Sequence, residues 1–365
     1  VEQKLQDFRL ISKTTAADSE MICLWNSESP SNRRRAVIIA EEIMLSAIQT
    51  WLVKMGWSSS KSLKVRSVER VPRFGQFAWD IVGPCYLAGI TYYEKGQLVH
   101  GFICADIVLD HKLTLSDILP FLSKWKALQA QKRKNPFQPM IIAEEFTTDA
   151  LNELRKRGAL IAIPSVLFGE ELAKDLHQLI GTIENAAAAV TNDPQSVFKL
   201  IERVSKMEGA ALNLRGVLIE MIVAHLYKLD GYEIDIRQQI QGEGLQKAEI
   251  DVKARNRCEV VCCECKGKAP NSLVDAPEIK EWVDTALPRI KYWLKQSKTL
   301  PDNRRFEFIS STGYTDAAND LIEELDANHK KQPIKFLTGK EILERLQTQN
   351  EKPLADIFRE QFYPK

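Results

Sequence analysis

Asp251-Val252-Lys253-Ala254-Arg255-Asn256-Arg257-Cys258-Glu259-Val260-Val261-Cys262-Cys263-Glu264-Cys265-Lys266 is the stretch whose reading decides the fold. Asp251 sits near the end of one strand-like run, Ala248 to Val252. Glu264 and Lys266 stand two apart in a second, Cys258 to Lys266. Side chains two apart on a strand share a face. Two carboxylates and one amine therefore converge if the two runs form a hairpin. Such a group suits a divalent cation and a phosphodiester. Mg²⁺ prefers carboxylate oxygens and keeps several waters. It lowers the pKa of a bound water and offsets charge on a phosphate. A lysine beside it can orient the water or stabilise developing negative charge.

A further carboxylate comes from Glu220, inside the helical pattern Leu214 to Leu226, which stops near the glycine signal Asp230-Gly231-Tyr232. Glu220, Gly231-Tyr232, Ile250-Asp251-Val252 and Glu264-Cys265-Lys266, in this order, resemble the PD-(D/E)xK nuclease superfamily, and within it the Mrr-type restriction endonucleases. The downstream runs Phe306 to Ala318 and Ile334 to Leu343 look like the late strands and helices of that fold, so the resemblance covers roughly residues 210–348. It implies a Mg²⁺-dependent DNA endonuclease of restriction or genome defence, with Mn²⁺ as a substitute ion. Asp251, Glu264 and Glu220 would hold the metal, and Lys266 would complete the catalytic set. Glu249 departs from the pattern, where glycine is common. It reads as a solvated edge residue rather than a ligand.

Composition fits a soluble globular protein: 365 residues, 44% apolar and 27% charged, with no run of about 20 apolar residues to span a bilayer. The charged start, Val1 to Leu10, shows no secretory signal, and seven cysteines, four of them between Cys258 and Cys265, suggest reduced thiols in a cytoplasm. Their spacing lacks paired zinc knuckles. Net charge is +1, and residues 211–365 hold 24 Lys and Arg against 25 Asp and Glu. Any nucleic-acid footprint is therefore local. The candidates are Arg255 and Arg257 in the hairpin, Lys268 beyond it, and Lys291 and Lys295, with Arg289 and Lys298, on the next helix. DNA is the expected partner, and cutting both strands favours a homodimer.

The pattern repeats along the chain. Gly56-Trp57 parallels Gly231-Tyr232. Trp79-Asp80-Ile81-Val82 parallels Glu249 to Val252, Cys104-Ala105-Asp106 parallels Cys262-Cys263-Glu264, and Thr148-Asp149-Ala150 parallels Thr315-Asp316-Ala317. The fold class is therefore α/β, with two restriction-endonuclease-like αβββαβ domains. The expected layout is an arm or peripheral helix (1–35), a degenerate nuclease-like domain (36–189), a helical linker (190–209), the nuclease domain (210–348) and a C-terminal tail (349–365). In the first copy the lysine position falls on Val108 and the helix position near Leu45, with Glu41 and Glu42 close by. A valine cannot stabilise an oxyanion, so this copy is expected to be inactive and to position DNA, dimerise or sense.

Two other functions fit the same residues. One is a nuclease for RNA, single strands or branched junctions, gated by the first domain. The other is a non-catalytic nucleic-acid-binding or assembly protein that retains the fold.

Overall fold

The computed structural model describes residues 11–16, 19–24, 32–67, 70–131, 136–205, 210–242, 246–297, 299–328 and 334–363. Its contacts divide the chain into two units, the first chiefly Arg33–Gly181 and the second chiefly Thr182–Arg203 with Ala211–Lys365.

In the first unit, β1 (Ile11–Ala16) and β2 (Ser19–Leu24) form an antiparallel hairpin where an arm or helix was expected. The Ser29-Pro30-Ser31 loop lies outside the described residues. α1 (Asn32–Lys54) follows and buries Val37, Ile39, Ile43, Leu45, Ile48 and Leu52. Contrary to the expectation from sequence, Ala36–Lys54 is long and apolar enough to cross a bilayer. Yet 67% of that window is buried inside the protein, as in a core helix.

β3 (Lys64–Val65), β4 (Arg73–Phe74), β5 (Phe77–Ala78), β6 (Ile81–Cys85), β7 (Tyr92–Glu94), β8 (Gln97–Val99) and β9 (Gly101–Ile107) come next. The run from Phe74 to Val82 is not one continuous strand. Gly75 at φ +66° turns β4 back on β5, and the main strand starts only at Ile81. Lys95 and Gly96, at φ +52° and +78°, make a tight turn between β7 and β8. α2 (Leu115–Gln129), β10 (Phe137–Ile142), α3 (Thr148–Arg157), β11 (Leu160–Ala162), α4 (Pro164–Phe168) and α5 (Glu170–Glu184) follow. α5 ends at Glu184, and α6 (Ala186–Asn192), which belongs to the second unit, begins after Asn185.

The second unit adds α7 (Pro194–Ser205) and α8 (Ala210–Leu229), then β12 (Glu233–Gln241), β13 (Lys247–Arg255) and β14 (Glu259–Lys266). Two helices, α9 (Ala276–Glu281) and α10 (Leu287–Gln296), are joined by a π-helical turn at Trp282–Ala286. Pro288 lacks an N–H and crowds the carbonyl of the preceding turn, which widens the pitch there. β15 (Asn303–Ser310), α11 (Asp316–Asn328), β16 (Ile334–Leu337), α12 (Gly339–Thr348) and α13 (Lys352–Phe362) complete it.

Both units are mixed α/β, and their sheets have one design. The first runs β3-β6-β9-β10-β11 and the second β12-β13-β14-β15-β16. In each, the first two neighbour pairs are antiparallel and the last two parallel. In each, a long buried helix precedes the edge strand and helices connect the parallel strands, as right-handed crossovers require. Val260, Cys262, Phe306 and Phe308 of the second sheet pack on Trp282, Leu287, Ile290 and Leu294. This makes Trp282 a core anchor.

The segments expected as linker and tail are packed structure. α7 buries Val197, Phe198, Leu200 and Ile201, and α13 buries Leu354, Ala355, Phe358 and Phe362. The Tyr363 hydroxyl donates to Thr312 O at 2.9 Å, and Arg215 Nε donates to Gln361 O at 3.1 Å. These bonds tie α13 to the loop after β15 and to the start of α8. Phe358→Ala is expected to cost about 3–5 kcal/mol in urea unfolding of the full chain. An unchanged urea midpoint would mean that α13 is the loose tail its position suggests.

Candidate active site

Gly267 sets the position of the helix that bears Glu220. A Cβ on it would lie 2.4 Å from Arg215 C and 2.5 Å from Gly216 N, so only glycine lets the end of β14 touch the start of α8. Glu220 lies four residues on from Gly216, on the same helix face. The close approach therefore aims its carboxylate at the sheet.

The hairpin of β13 and β14 forms as the sequence suggests. Arg255 pairs with Val260 and Val252 with Cys263, and there the paired register ends. The next step of that register brings Asp251 against Glu264. Asp251 does not continue the ladder with its backbone. Its Oδ2 accepts the Cys265 N–H at 2.7 Å instead. Glu264 and Lys266 lie two apart on β14, and Lys266 Nζ donates to Glu264 Oε1 at 2.9 Å. The Lys266 side chain keeps 33% of its surface exposed and Glu264 15%.

Arg237 is the residue that sequence reasoning missed. In β12, Ile236 pairs with Val252 and Gln238 with Ile250, but Arg237 and Asp251 between them do not pair. Arg237 takes φ +58°, a left-handed conformation that costs roughly 1–3 kcal/mol for a residue with a side chain. Its guanidinium grips Glu220 with two nitrogens, Nε on Oε2 and Nη2 on Oε1, the latter at 2.9 Å. Both side chains are buried. The only hint in the sequence is a charged residue at a strand position that the register places opposite Asp251. Glu249 is half-buried and accepts a hydrogen bond from Gln239 Nε2, so it is not simply solvated.

Burial pushes the Asp251 carboxyl well above the ordinary carboxylate range, and the charges of Glu264, Glu220 and Glu249 push it further. Glu264 is raised as well, by burial first, with Lys266 opposing the shift. Burial also raises the Cys262, Cys263 and Cys265 thiols, Cys262 to about 12, which keeps them protonated and unreactive. Cys258 lies in the exposed turn before β14 rather than on the strand.

Excess negative charge of this kind fits a divalent cation. Among the described residues, no three His, Cys, Asp or Glu side chains group closely enough to share an ion. The donor set that fits is therefore Asp251 and Glu264 with waters, as Mg²⁺ accepts. Glu220 has both oxygens on Arg237.

The basic candidates divide. Arg255 Nε donates to Glu233 at 2.8 Å, and Arg257 is exposed in the turn. That turn is at the far end of β14 from Lys266, roughly 25 Å along an extended strand. Lys268 is close in sequence to Lys266, but its Nζ is held by Glu278 at 2.6 and 2.7 Å. Lys291 lies 5.3 Å over the Phe306 ring, and burial lowers its pKa. Lys295 is exposed, Arg289 donates to Lys247 O at 2.9 Å, and Lys298 lies outside the described residues.

The sequence matches no family model and no curated protein. Among solved structures it is similar to a protein of unknown function, AF1548, at 19% identity over 36% of this chain and 67% of that one, with a TM-score of 0.28. The MspJI restriction endonuclease in complex with a 27-mer oligonucleotide is 14% identical over 48% of this chain and 35% of that one, at a TM-score of 0.23. The Acinetobacter baumannii SAVED/CARF-domain receptor Cap4 with the cyclic trinucleotide 3'3'3'-cAAA is 10% identical over 93% and 95%, at a TM-score of 0.20. Likenesses this distant decide neither fold nor activity.

Two outcomes follow from the charges. A carboxyl whose pKa is raised by folding binds its proton more tightly in the folded state. Its contribution to stability is thus full at pH below about 4 and declines as pH rises toward the raised value. In metal-free buffer, the urea midpoint should fall from pH 4 to 8 more steeply in wild type than in Asp251→Asn. Equal slopes would refute the raised pKa. Arg237→Ala, which leaves Glu220 buried and unpaired, should cost about 3–5 kcal/mol, and a joint Arg237→Met, Glu220→Leu change much less. Simple additivity of the two sites would show that they do not interact.

Proposed function

We propose that the second unit is a metal-dependent endonuclease of the PD-(D/E)xK kind, hydrolysing phosphodiester bonds of DNA. The observation that carries this reading is the pair of charge-strained carboxylates, buried Asp251 and half-buried Glu264, on adjoining strands, with Lys266 on the same strand as Glu264. The order of Glu220, Asp251, Glu264 and Lys266 along the chain, similar to Mrr-type enzymes, supplies DNA as the substrate and restriction or defence as the role.

Asp251 and Glu264 would hold Mg²⁺, which when bound supplies a water of lowered pKa and offsets charge on the phosphate. The Cys265 N–H keeps the Asp251 carboxylate from rotating, so a ligand oxygen stays in place without reorganisation. Lys266 is the most exposed of the group. Its Nζ, now on Glu264 Oε1, would donate to the attacking water or to a non-bridging phosphate oxygen. Arg237 and Glu220 act one step away, fixing α8 against the kink of β12 that lies opposite Asp251.

The test is cleavage of supercoiled plasmid in excess Mg²⁺. Wild type is expected to cut, and Asp251→Asn and Lys266→Ala should each lower the rate by about 10²-fold or more. Wild-type rates in both variants would place the chemistry elsewhere. A wild type inactive on duplex DNA with Mg²⁺ and with Mn²⁺ would reject DNA as the substrate.

A further inference from the structure

α7 and α13, whose positions in the chain suggest linker and tail, border a cavity together with α8. Its volume is about 270 Å³, and it is lined by Phe198 of α7, His225 of α8, Leu354 and Ile357 of α13, and Glu351 just before α13. All of these residues lie in the second unit, and none belongs to the candidate active site. Ligand cavities commonly measure roughly 300–1,000 Å³, so this one suits a small occupant.

His225 is the residue that points to a ligand. It is 5% exposed, and its ring meets Phe198 edge-on with centroids 6.0 Å apart. Neither ring nitrogen has a hydrogen-bond partner among the described residues. Nε2 comes within 3.4 Å of Glu351 Oε1 but without the alignment of a hydrogen bond. A neutral imidazole carries one N–H and one bare nitrogen, and leaving both unpaired in the interior is costly. The polar and apolar parts of the cavity are separate. Phe198, Leu354 and Ile357 are buried apolar side chains, while Glu351 and His225 supply the polar end.

Charge and composition narrow the ligand class. Glu202, Glu351, Asp356 and Glu360 line the cavity against one amine, Lys199. Asp356 is taken by Arg359, which donates to it at 2.7 Å, but Glu351 has His225 beside it. A phosphate would be repelled by such a wall. A bare metal ion does not fit either, because no three His, Cys, Asp or Glu side chains among the described residues gather closely enough to share one.

We propose that this cavity binds a small organic cation, an ammonium group on a short hydrocarbon body. The ammonium has donors only. It would donate to Glu351 and to the bare nitrogen of His225, and the hydrocarbon would lie against Phe198, Leu354 and Ile357. Water alone would pair with the nitrogens but leave those three apolar side chains wet. Nothing in this pairing depends on what the second unit cuts.

Cyclohexylamine is the probe, with cyclohexanol as its uncharged counterpart. Nitrogen NMR of the five histidine rings in the full chain, at fixed neutral pH, follows binding, and the His225 signal is the one lost in His225→Gln. The amine should shift that signal saturably, with a Kd of about 1 mM or tighter. The alcohol should bind about tenfold more weakly or worse, and Glu351→Gln should weaken the amine about tenfold while leaving the alcohol unchanged. Loosening of α13 would weaken both probes alike. Equal binding of amine and alcohol, or unchanged amine affinity in Glu351→Gln, overturns the cation site. No saturable shift by about 10 mM amine overturns the site altogether. Tighter binding of a blocked lysine amide than of cyclohexylamine would assign the cavity to a protein side chain and overturn the small-molecule ligand. Should Glu351→Gln not fold by circular dichroism, Ile357→Trp, which fills the cavity, takes its place. The amine shift should then vanish, and a retained shift overturns the proposal.

Discussion

The hydrogen bond from Cys265 N–H to the Asp251 carboxylate is the constraint on which the candidate site depends. A buried backbone donor must find an acceptor. Between β13 and β14 the last pair is Val252 with Cys263, and beyond it the strands part. A side chain replaces the missing ladder carbonyl. The carboxylate thereby becomes part of the sheet, held at the point where Glu264 and Lys266 leave the paired region. A ligand group fixed by backbone in this way does not have to be ordered again when an ion or substrate arrives.

Keeping that arrangement buried is costly, and the costs are visible around it. Arg237 adopts a left-handed backbone conformation with a large side chain, and the β12–β13 pairing skips it and Asp251. In return its guanidinium neutralises Glu220, which otherwise would be a buried charge without a partner. Gly267 gives up a side chain so that α8 can approach. Strain, a lost pair and a glycine contact all fall close to the same carboxylates, while farther back along β14 Val260 and Cys262 pack in ordinary fashion on Trp282, Leu287 and Leu294. Concentration of such departures at one place is what separates a site from a surface.

The first unit shows how the same geometry can be assembled from other residues. Its ladder also ends at an aspartate, Asp80, which captures the Ile107 amide, and Arg66 opposite it grips the buried Glu41 of α1. Only the amine has moved, from strand to crossover helix, where Lys124 of α2 meets Asp106 of β9. A nitrogen near a carboxylate is defined by its position in space, and two elements packed against each other can both supply it. A side chain as long as lysine makes the exchange easy, because its stem packs on an aromatic ring while the charged end reaches the carboxylate.

Much of this was legible in the order of residues. Alternating apolar runs, the Gly231 stop and the two-residue spacing of Glu264 and Lys266 mark the strands, the helix end and a shared face, because these depend on local periodicity. The repeat was legible for the same reason. The helix of Lys352–Phe362 could have been read from its apolar spacing, but its tail position concealed it. Arg237, Arg66 and Lys124 were not legible. Each owes its place to a partner 17 to 25 residues away, across strands or from a helix onto a sheet. Sequence by itself determined which carboxylates exist, on which kind of element, and in what order. The tertiary structure alone decided which cations meet them, because charge pairing depends on distance in the folded chain and that distance is set by packing.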